Sequence, residues 1–230
     1  IPEPTLEEAE AATQEAVKSF QRVGVTAVTD FEGELPFKVL QNLLRTGKLG
    51  LRVALMFPTE NLDAAIKLGI QSDFGNEKLR IVGVKILADG AFGSRTAAML
   101  ESYEDDPENK GIMRLTEEEL HHLVEKATSN RINVAVHSIG DRANRIMLNI
   151  FEANVKNMEA NRKIRCRIEH AQHLTEKDVR RFGELGVIAS VQPIHIALDF
   201  EAMKHSLGKR GRWSYPFRSL LSNGAKIAFG

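Results

Sequence analysis

The sequence predicts an α/β protein, and three observations indicate this class. Short β-rich runs alternate with segments of helical period along the chain. Most of these runs are nearly continuous in apolar residues, which is typical of strands buried on both faces of a parallel sheet. Several runs end in a polar or ionisable residue, at the strand end where the active sites of (β/α)8 barrels lie. We therefore predict a (β/α)8 barrel.

The predicted strands cover 24–30, 51–57, 79–87, 131–137, 165–170, 187–193 and 226–230. A doubly wound sheet could also hold seven strands, but it would be expected to carry a glycine-rich phosphate-binding turn after its first strand. The stretch VTDFEGELP, which follows the first predicted strand, is not such a turn. The barrel is therefore the preferred fold.

The predicted helices lie between the strands and begin at recognisable signals. Three of them start with a threonine that is followed three residues later by an acidic residue, in the pairs Thr5–Glu8, Thr116–Glu119 and Thr175–Asp178. The third of these helices ends at Gly186, which is typical of a C-terminal cap. Further helical segments cover 34–47, 61–71 and 141–156, the last with Asp141 as its N-cap.

Composition limits the classes of partner. Lys plus Arg and Asp plus Glu each number 31, so the charge balance predicts neither a nucleic-acid partner nor an anionic membrane surface. No apolar run approaches the ~20 residues that span a bilayer. The single cysteine, Cys166, and the acidic first residues lead us to expect a cytoplasmic protein. We expect one domain over 1–230, with a polar insertion at 102–115.

Two histidines occupy equivalent places in consecutive strand–helix units. His137 ends the run VAVH, and His170 ends the run CRIEH. Two imidazoles at the ends of adjacent barrel strands can share a metal ion. Alternatively, each could be a partly buried histidine that bonds to a backbone carbonyl. We favour the metal site because the two positions correspond.

Lys85 lies inside the apolar run VGVKIL, where an unpaired ammonium group would be costly. Three interpretations remain open from the residues alone. Lys85 could pair with Asp89 or Asp30, it could form a Schiff base with a carbonyl substrate, or carbon dioxide could convert its amine to an anionic ligand that bridges two metal ions.

Five segments together resemble a known family: VKILADGAFGSRTA, VAVHSIGDRA, RIEHAQHL, ASVQPIH and LLSNGAKIAFG. Their order and spacing are similar to those of the amidohydrolase superfamily, in the branch of YtcJ-like, amidohydrolase family 3 metal-dependent hydrolases that includes N-substituted formamide deformylases. The resemblance runs from about residue 20 to residue 230. It implies hydrolysis of non-peptide carbon–nitrogen bonds in small amide-type substrates. It also implies one or two divalent metal ions, for which we expect zinc.

The resemblance also implies roles for individual residues. The metal ligands would be Lys85, as a carboxylated bridging ligand, with His137 and His170. Asp89 and Arg95 would contact substrate from the loop DGAFGSRTA, and Asp89 would also be catalytic. His195 would face the same site, contact substrate, and take a catalytic part by orienting a carbonyl oxygen.

Two features of the family are missing from this sequence. It contains no His-x-His pair of the kind the family carries on its first strand, and it ends at Phe229-Gly230, where the family continues toward a catalytic aspartate. The resemblance therefore implies an incomplete barrel with strands 2–8, without strand 1 and the accessory β-domain. We expect these 230 residues to be inactive by themselves, and to be either marginally stable or homo-oligomeric because strand edges are exposed. The alternatives are a Schiff-base lysine enzyme of barrel fold, and a non-catalytic small-molecule-binding or regulatory protein.

Overall fold

The computed structural model describes residues 4–155 and 164–230. The chain divides into two compact units. The N-terminal unit ends at Lys85, and the C-terminal unit begins at Ile86. The prediction of a single domain over 1–230 stays a prediction.

The N-terminal unit alternates helices with parallel strands. Its elements are α1 (Leu6–Arg22), β1 (Ala27–Asp30), α2 (Glu34–Arg45), β2 (Arg52–Pro58), α3 (Leu62–Lys67), β3 (Phe74–Gly75) and β4 (Leu79–Leu87), whose last two residues belong to the C-terminal unit. β1 pairs with β2 and β2 pairs with β4, both in parallel. The short β3 pairs with β4 in the antiparallel direction. The predicted α/β alternation is thus present in this unit.

The C-terminal unit continues the alternation. Its elements are α4 (Glu117–Ser129), β5 (Val134–Ser138), α5 (Asp141–Ala153), β6 (Cys166–His170), α6 (Glu176–Glu184), β7 (Ile188–Val191), α7 (His195–Leu207), α8 (Phe217–Ser222) and β8 (Lys226–Phe229). β5, β6, β7 and β8 pair in that order, each in parallel with the next. Because the strands are parallel, their carboxyl ends share one edge of the sheet.

The capping signals in the sequence determine where several helices begin. In α1 the Glu8 N–H donates to the Thr5 hydroxyl, and the Thr5 N–H donates to Glu8 Oε2. The same reciprocal pair is present at Thr116 and Glu119. Gly186 follows α6 with a φ of 66°, the left-handed conformation that a C-terminal glycine adopts at little cost. These predicted boundaries are confirmed.

All seven predicted strands are confirmed to within a few residues, and the differences lie elsewhere. β3, α7 and α8 were not predicted from the sequence. The predicted helix over 141–156 ends at Ala153, and Lys156 lies outside the described residues. The prediction of Asp141 as N-cap is wrong, because Gly140 takes that position and Asp141 accepts the Leu100 N–H at 2.8 Å.

The polar segment 102–115 packs against its own unit. Tyr103 is 1% exposed, and its hydroxyl donates to the Ala97 carbonyl at 2.8 Å. Its ring belongs to a buried cluster with Phe92 and Leu207. In the described part of the chain, every helix is too short or too polar to cross a bilayer.

Candidate metal centre

His137 and His170 lie side by side at the carboxyl ends of β5 and β6. Their ring centroids are 4.7 Å apart, with an angle of 74° between the ring planes. The register places Ser138 opposite His170, so the two histidines differ by one position across the strand pair. The structure therefore brings together the two imidazoles that the sequence singled out, while their role as ligands stays a prediction.

A backbone carbonyl determines the tautomer of His137. Its Nε2 lies 2.9 Å from the Gly90 oxygen. Because a carbonyl oxygen only accepts hydrogen bonds, Nε2 must carry the proton and donate. The lone pair of the neutral ring is then on Nδ1, the nitrogen that can bind a metal ion.

His170 has the opposite tautomer. Its Nδ1 lies 2.6 Å from Gln192 Oε1, while Gln192 Nε2 donates to the Ser190 carbonyl at 3.4 Å. The second bond orients the amide so that its oxygen faces the ring, and Nδ1 must then be the donor. The lone pair of His170 is therefore on Nε2.

The backbone at His170 is unusual for a strand end. His170 and Ala171 have φ values of 75° and 43°, in the left-handed region that costs a non-glycine residue about 1–3 kcal/mol. Strained residues of this kind cluster at functional sites. The turn redirects the chain immediately after the last residue of β6.

A third imidazole belongs to the same group. The ring of His195, the first residue of α7, stacks with that of His170 at a centroid distance of 6.0 Å. The His195 N–H donates to the Gln192 carbonyl at 3.1 Å. The structure therefore brings His195 to His170, and its predicted catalytic and substrate contacts stay predictions.

Lys85 lies on β4 in the N-terminal unit and is half-buried. Its ammonium lies 4.3 Å from the centroid of the Phe31 ring, a distance at which a cation is attracted by the ring face. Asp30 accepts the Glu32 N–H at 2.7 Å. These contacts do not distinguish the three interpretations of Lys85, which all stay predictions.

Asp89 is a buried connector between loops. It is 1% exposed, and its carboxylate accepts three backbone N–H groups, at distances of 2.8–3.0 Å, from Ala98, Ile139 and Gly140. Burial raises the pKa of Asp89 to about 7, although the three donors act in the opposite direction. His137 Nε2 lies 3.6 Å from this carboxylate. The geometry thus shows Asp89 organising the loops around His137, and its predicted catalytic and substrate contacts are not tested.

Arg95 is engaged within its own loop. Its guanidinium pairs with Asp105 at 2.6 Å and lies 5.4 Å from the ring centroids of both Phe92 and Tyr103. Ser206 also donates to Asp105, at 3.0 Å. These contacts join the loop to the segment after it and to α7. The predicted contact of Arg95 with substrate stays a prediction.

The sequence analysis missed a buried polar network next to this site. Gln172 Nε2 lies 3.1 Å from His173 Nε2, and His173 Nδ1 lies 2.7 Å from the Ser214 hydroxyl. The amide can only donate, so the imidazole proton is on Nδ1 and points at the hydroxyl oxygen. His173 therefore does not act as a base toward Ser214. Burial, followed by the charge of Arg210, lowers the pKa of His173 to about 3.

The model of the amidohydrolase family matches residues 1–230. This chain belongs to the amidohydrolase family. The predicted recognition of this family is confirmed.

Two curated relatives and one solved structure show how this amidohydrolase-family chain relates to others. It is 35% identical to the protein LONG AFTER FAR-RED 3 of Arabidopsis thaliana, over all of this chain and 42% of the relative. It is 33% identical to the YtcJ protein of Bacillus subtilis (strain 168), over 85% of this chain and 36% of the relative. A solved, uncharacterized metal-dependent hydrolase from Pyrococcus furiosus matches with a TM-score of 0.88 and 31% identity, over 99% of this chain and 47% of that one.

These matches confirm the fold class, an α/β chain that corresponds to part of a (β/α)8 barrel. The chain spans less than half the length of each of these three relatives. The activity, substrates and partners of a whole protein are therefore proposals for this amidohydrolase-family chain.

Two of the residues present have the hydrogen bonding that is typical of metal ligands. Metal-binding histidines almost always donate their second ring N–H to a carbonyl or carboxylate, and this holds for both His137 and His170. Within residues 4–155 and 164–230, no group of three or more His, Cys, Asp and Glu side chains is arranged to hold a metal. What the structure shows in this amidohydrolase-family chain is thus a pair of oriented imidazoles. Gln192, which orients one of them, was missed, although it is a polar residue directly after β7.

Proposed function

We propose that this chain carries two histidine ligands of a metal-dependent hydrolase that cleaves non-peptide carbon–nitrogen bonds of amides. The observation that supports this most strongly is the pair of opposite tautomers at His137 and His170. Each ring donates through one nitrogen to an oxygen, so each presents a lone pair on the other. Family membership gives the reaction class its second support.

The residues have distinct parts in this proposal. His137 binds the ion through Nδ1 and His170 binds it through Nε2, and these imidazole donors suit zinc. A bound ion would supply Lewis-acid activation of water and of the substrate carbonyl. His195 orients that carbonyl by hydrogen bonding to its oxygen. Lys85 stays a proposed ligand in its carboxylated form.

We also propose that the 230 residues alone do not turn over substrate. This sequence contains no His-x-His pair, so the ligand set of the family is incomplete in it. A site with fewer ligands holds its metal ion more weakly and orients it less well. Assays of amide hydrolysis with added zinc test this expectation, and turnover that disappears in His137→Ala would contradict it.

Metal binding tests the site directly. Zinc titration by calorimetry, on protein purified without chelator, would compare the wild type with His137→Ala, His170→Ala and Lys85→Ala. His205→Ala is the matched control, because His205 is exposed and bonds only within its own helix. We expect affinity to fall at least about tenfold in all three ligand variants and to be unchanged in the control. Equal affinity in all the variants would refute the proposed site.

The alternative of a Schiff-base enzyme makes a different prediction. Borohydride reduction in the presence of a carbonyl substrate would then add the mass of the substrate to Lys85. We expect no such adduct. If zinc does not bind and a small molecule does, the non-catalytic binding role replaces the hydrolase.

A further inference from the structure

Gln192 lies between the end of β7 and the start of α7, next to two of the three clustered imidazoles. Its side-chain oxygen accepts from His170 Nδ1 at 2.6 Å. Its backbone carbonyl accepts from the His195 N–H at 3.1 Å. One residue therefore contacts the side chain of His170 and the first turn of the helix that carries His195.

We propose that Gln192 is the positioning residue that presents His170 Nε2 to the metal ion. This inference rests on the proposed function, because it concerns the same metal centre. Gln192 acts through His170 and does not itself bind the ion. Its part is to select the tautomer and the ring orientation of one ligand.

The amide of Gln192 is itself held in one orientation. Its Nε2 donates to the Ser190 carbonyl, two residues back on β7. β7 is also hydrogen-bonded on the side of β8, because the Gly230 N–H donates to the Val191 carbonyl at 3.0 Å. Because Gln192 Nε2 donates to the Ser190 carbonyl, Gln192 Oε1 faces His170. The orientation of the ring thus follows from the position of β7 relative to β6.

The choice of side chain at this position has a physical reason. The hydrogen bond that a neutral imidazole makes determines which of its nitrogens carries the proton, and only the tautomer with its proton on Nδ1 leaves Nε2 able to bind a metal. Glutamine offers an acceptor oxygen together with a nitrogen that anchors it. Leucine has a similar size and offers neither, so it fills the same space without favouring either tautomer of His170.

The experiment compares Gln192→Leu with Gln192→Glu, which keeps an acceptor oxygen. Long-range nitrogen–proton NMR on histidine-labelled protein reports which ring nitrogen carries the proton, and His170→Gln assigns the His170 signals. Zinc titration gives the affinity. Gln41→Leu is the control, since Gln41 is an exposed glutamine that bonds only within α2. Gln192→Met replaces the leucine variant if that variant does not fold.

We expect His170 to show the Nδ1–H tautomer in the wild type and in Gln192→Glu, and a mixture of tautomers in Gln192→Leu. Zinc affinity should fall about 10- to 100-fold in Gln192→Leu, and by no more than about threefold in Gln192→Glu. Gln41→Leu should match the wild type in both measurements.

Unchanged His170 signals in Gln192→Leu would overturn the inference, whatever happens to the zinc affinity. If the wild type binds no zinc, the proposed function fails, but the tautomer measurement still decides the role of Gln192. A shift to mixed tautomers would then support the positioning role without metal, and an unshifted pattern would refute it. The two failures are therefore distinguishable.

Discussion

The Gly140 N–H donates to Asp89 Oδ2 at 2.8 Å, although 51 residues separate them. The same oxygen accepts the Ala98 N–H at 2.9 Å. This buried carboxylate therefore joins the loop after β4 to the loop after β5. In the first of these loops, the Gly90 carbonyl accepts a hydrogen bond from His137 Nε2. The tautomer of one candidate ligand thus depends on how tightly these loops are held.

Gly140→Ala should be strongly destabilising. A Cβ at Gly140 would lie 1.9 Å from the Ala98 oxygen, and the backbone cannot move away without loss of its bonds to Asp89. We expect the free energy of unfolding to fall by about 3 kcal/mol, measured by urea denaturation. Gly93→Ala, in the loop after β4, is the control, because a Cβ there meets no neighbour within 4 Å. Equal urea midpoints of unfolding for Gly140→Ala and Gly93→Ala would contradict this prediction.

Asp89→Asn should destabilise the loops for a different reason. The amide offers one acceptor oxygen where the carboxylate offers two, so at least one of three buried N–H groups loses its partner. The expected loss is about 2–3 kcal/mol of unfolding free energy. Thermal or urea unfolding would measure it against Asp106→Asn, a change at an exposed aspartate. A wild-type stability for Asp89→Asn would show that the loops do not depend on this carboxylate.

His173 should make the protein sensitive to acid. Burial lowers its pKa to about 3 in the folded state, whereas an unfolded histidine titrates near 6.5. Between these values the unfolded chain binds a proton that the folded chain does not, so stability is present above pH 6.5 and is lost as the pH falls toward 3. The loss should be about 1.4 kcal/mol per pH unit at most.

The effect of His173 has to be measured as a difference from a variant. The raised pKa of Asp89 acts in the opposite direction between about pH 4 and 7, because the folded state then keeps a proton that the unfolded chain releases. Unfolding free energies of the wild type and of His173→Gln would be compared from pH 7.5 to 4.5. We expect the wild type to lose stability relative to the variant on acidification. A constant difference across this range would refute the prediction.

The edge of β8 should cause self-association. β8 pairs with β7 through one edge, and in the described part of the C-terminal unit no strand pairs with its other edge. Phe229 at its end is 71% exposed. Sedimentation equilibrium should show oligomers for the wild type and fewer for Phe229→Lys, since a charge at an edge strand opposes pairing. Phe74→Lys, at a residue 63% exposed on β3, is the control, and a monomeric wild type would contradict the expectation.

Local signals in the chain predicted much of the fold. Apolar runs predicted the strands because a buried parallel strand has no solvent face, and Thr5 and Thr116 predicted helix starts because their hydroxyls cap the first turn. The helix α7 was missed because its apolar residues are spread over more than one face, so no single apolar stripe stands out. Large side chains such as Leu198, 74% exposed, face outward.

The sequence by itself determined the candidate histidines, since parallel strands place the residues at their carboxyl ends along one edge. It did not determine their tautomers. Those follow from Gly90 and Gln192, whose hydrogen bonds to His137 and His170 join residues 47 and 22 positions apart. Nor did it show that Asp89 is buried among three N–H groups. Which oxygen meets which ring nitrogen depends on the packing of whole loops and strands. No local pattern in the chain encodes these contacts between distant residues.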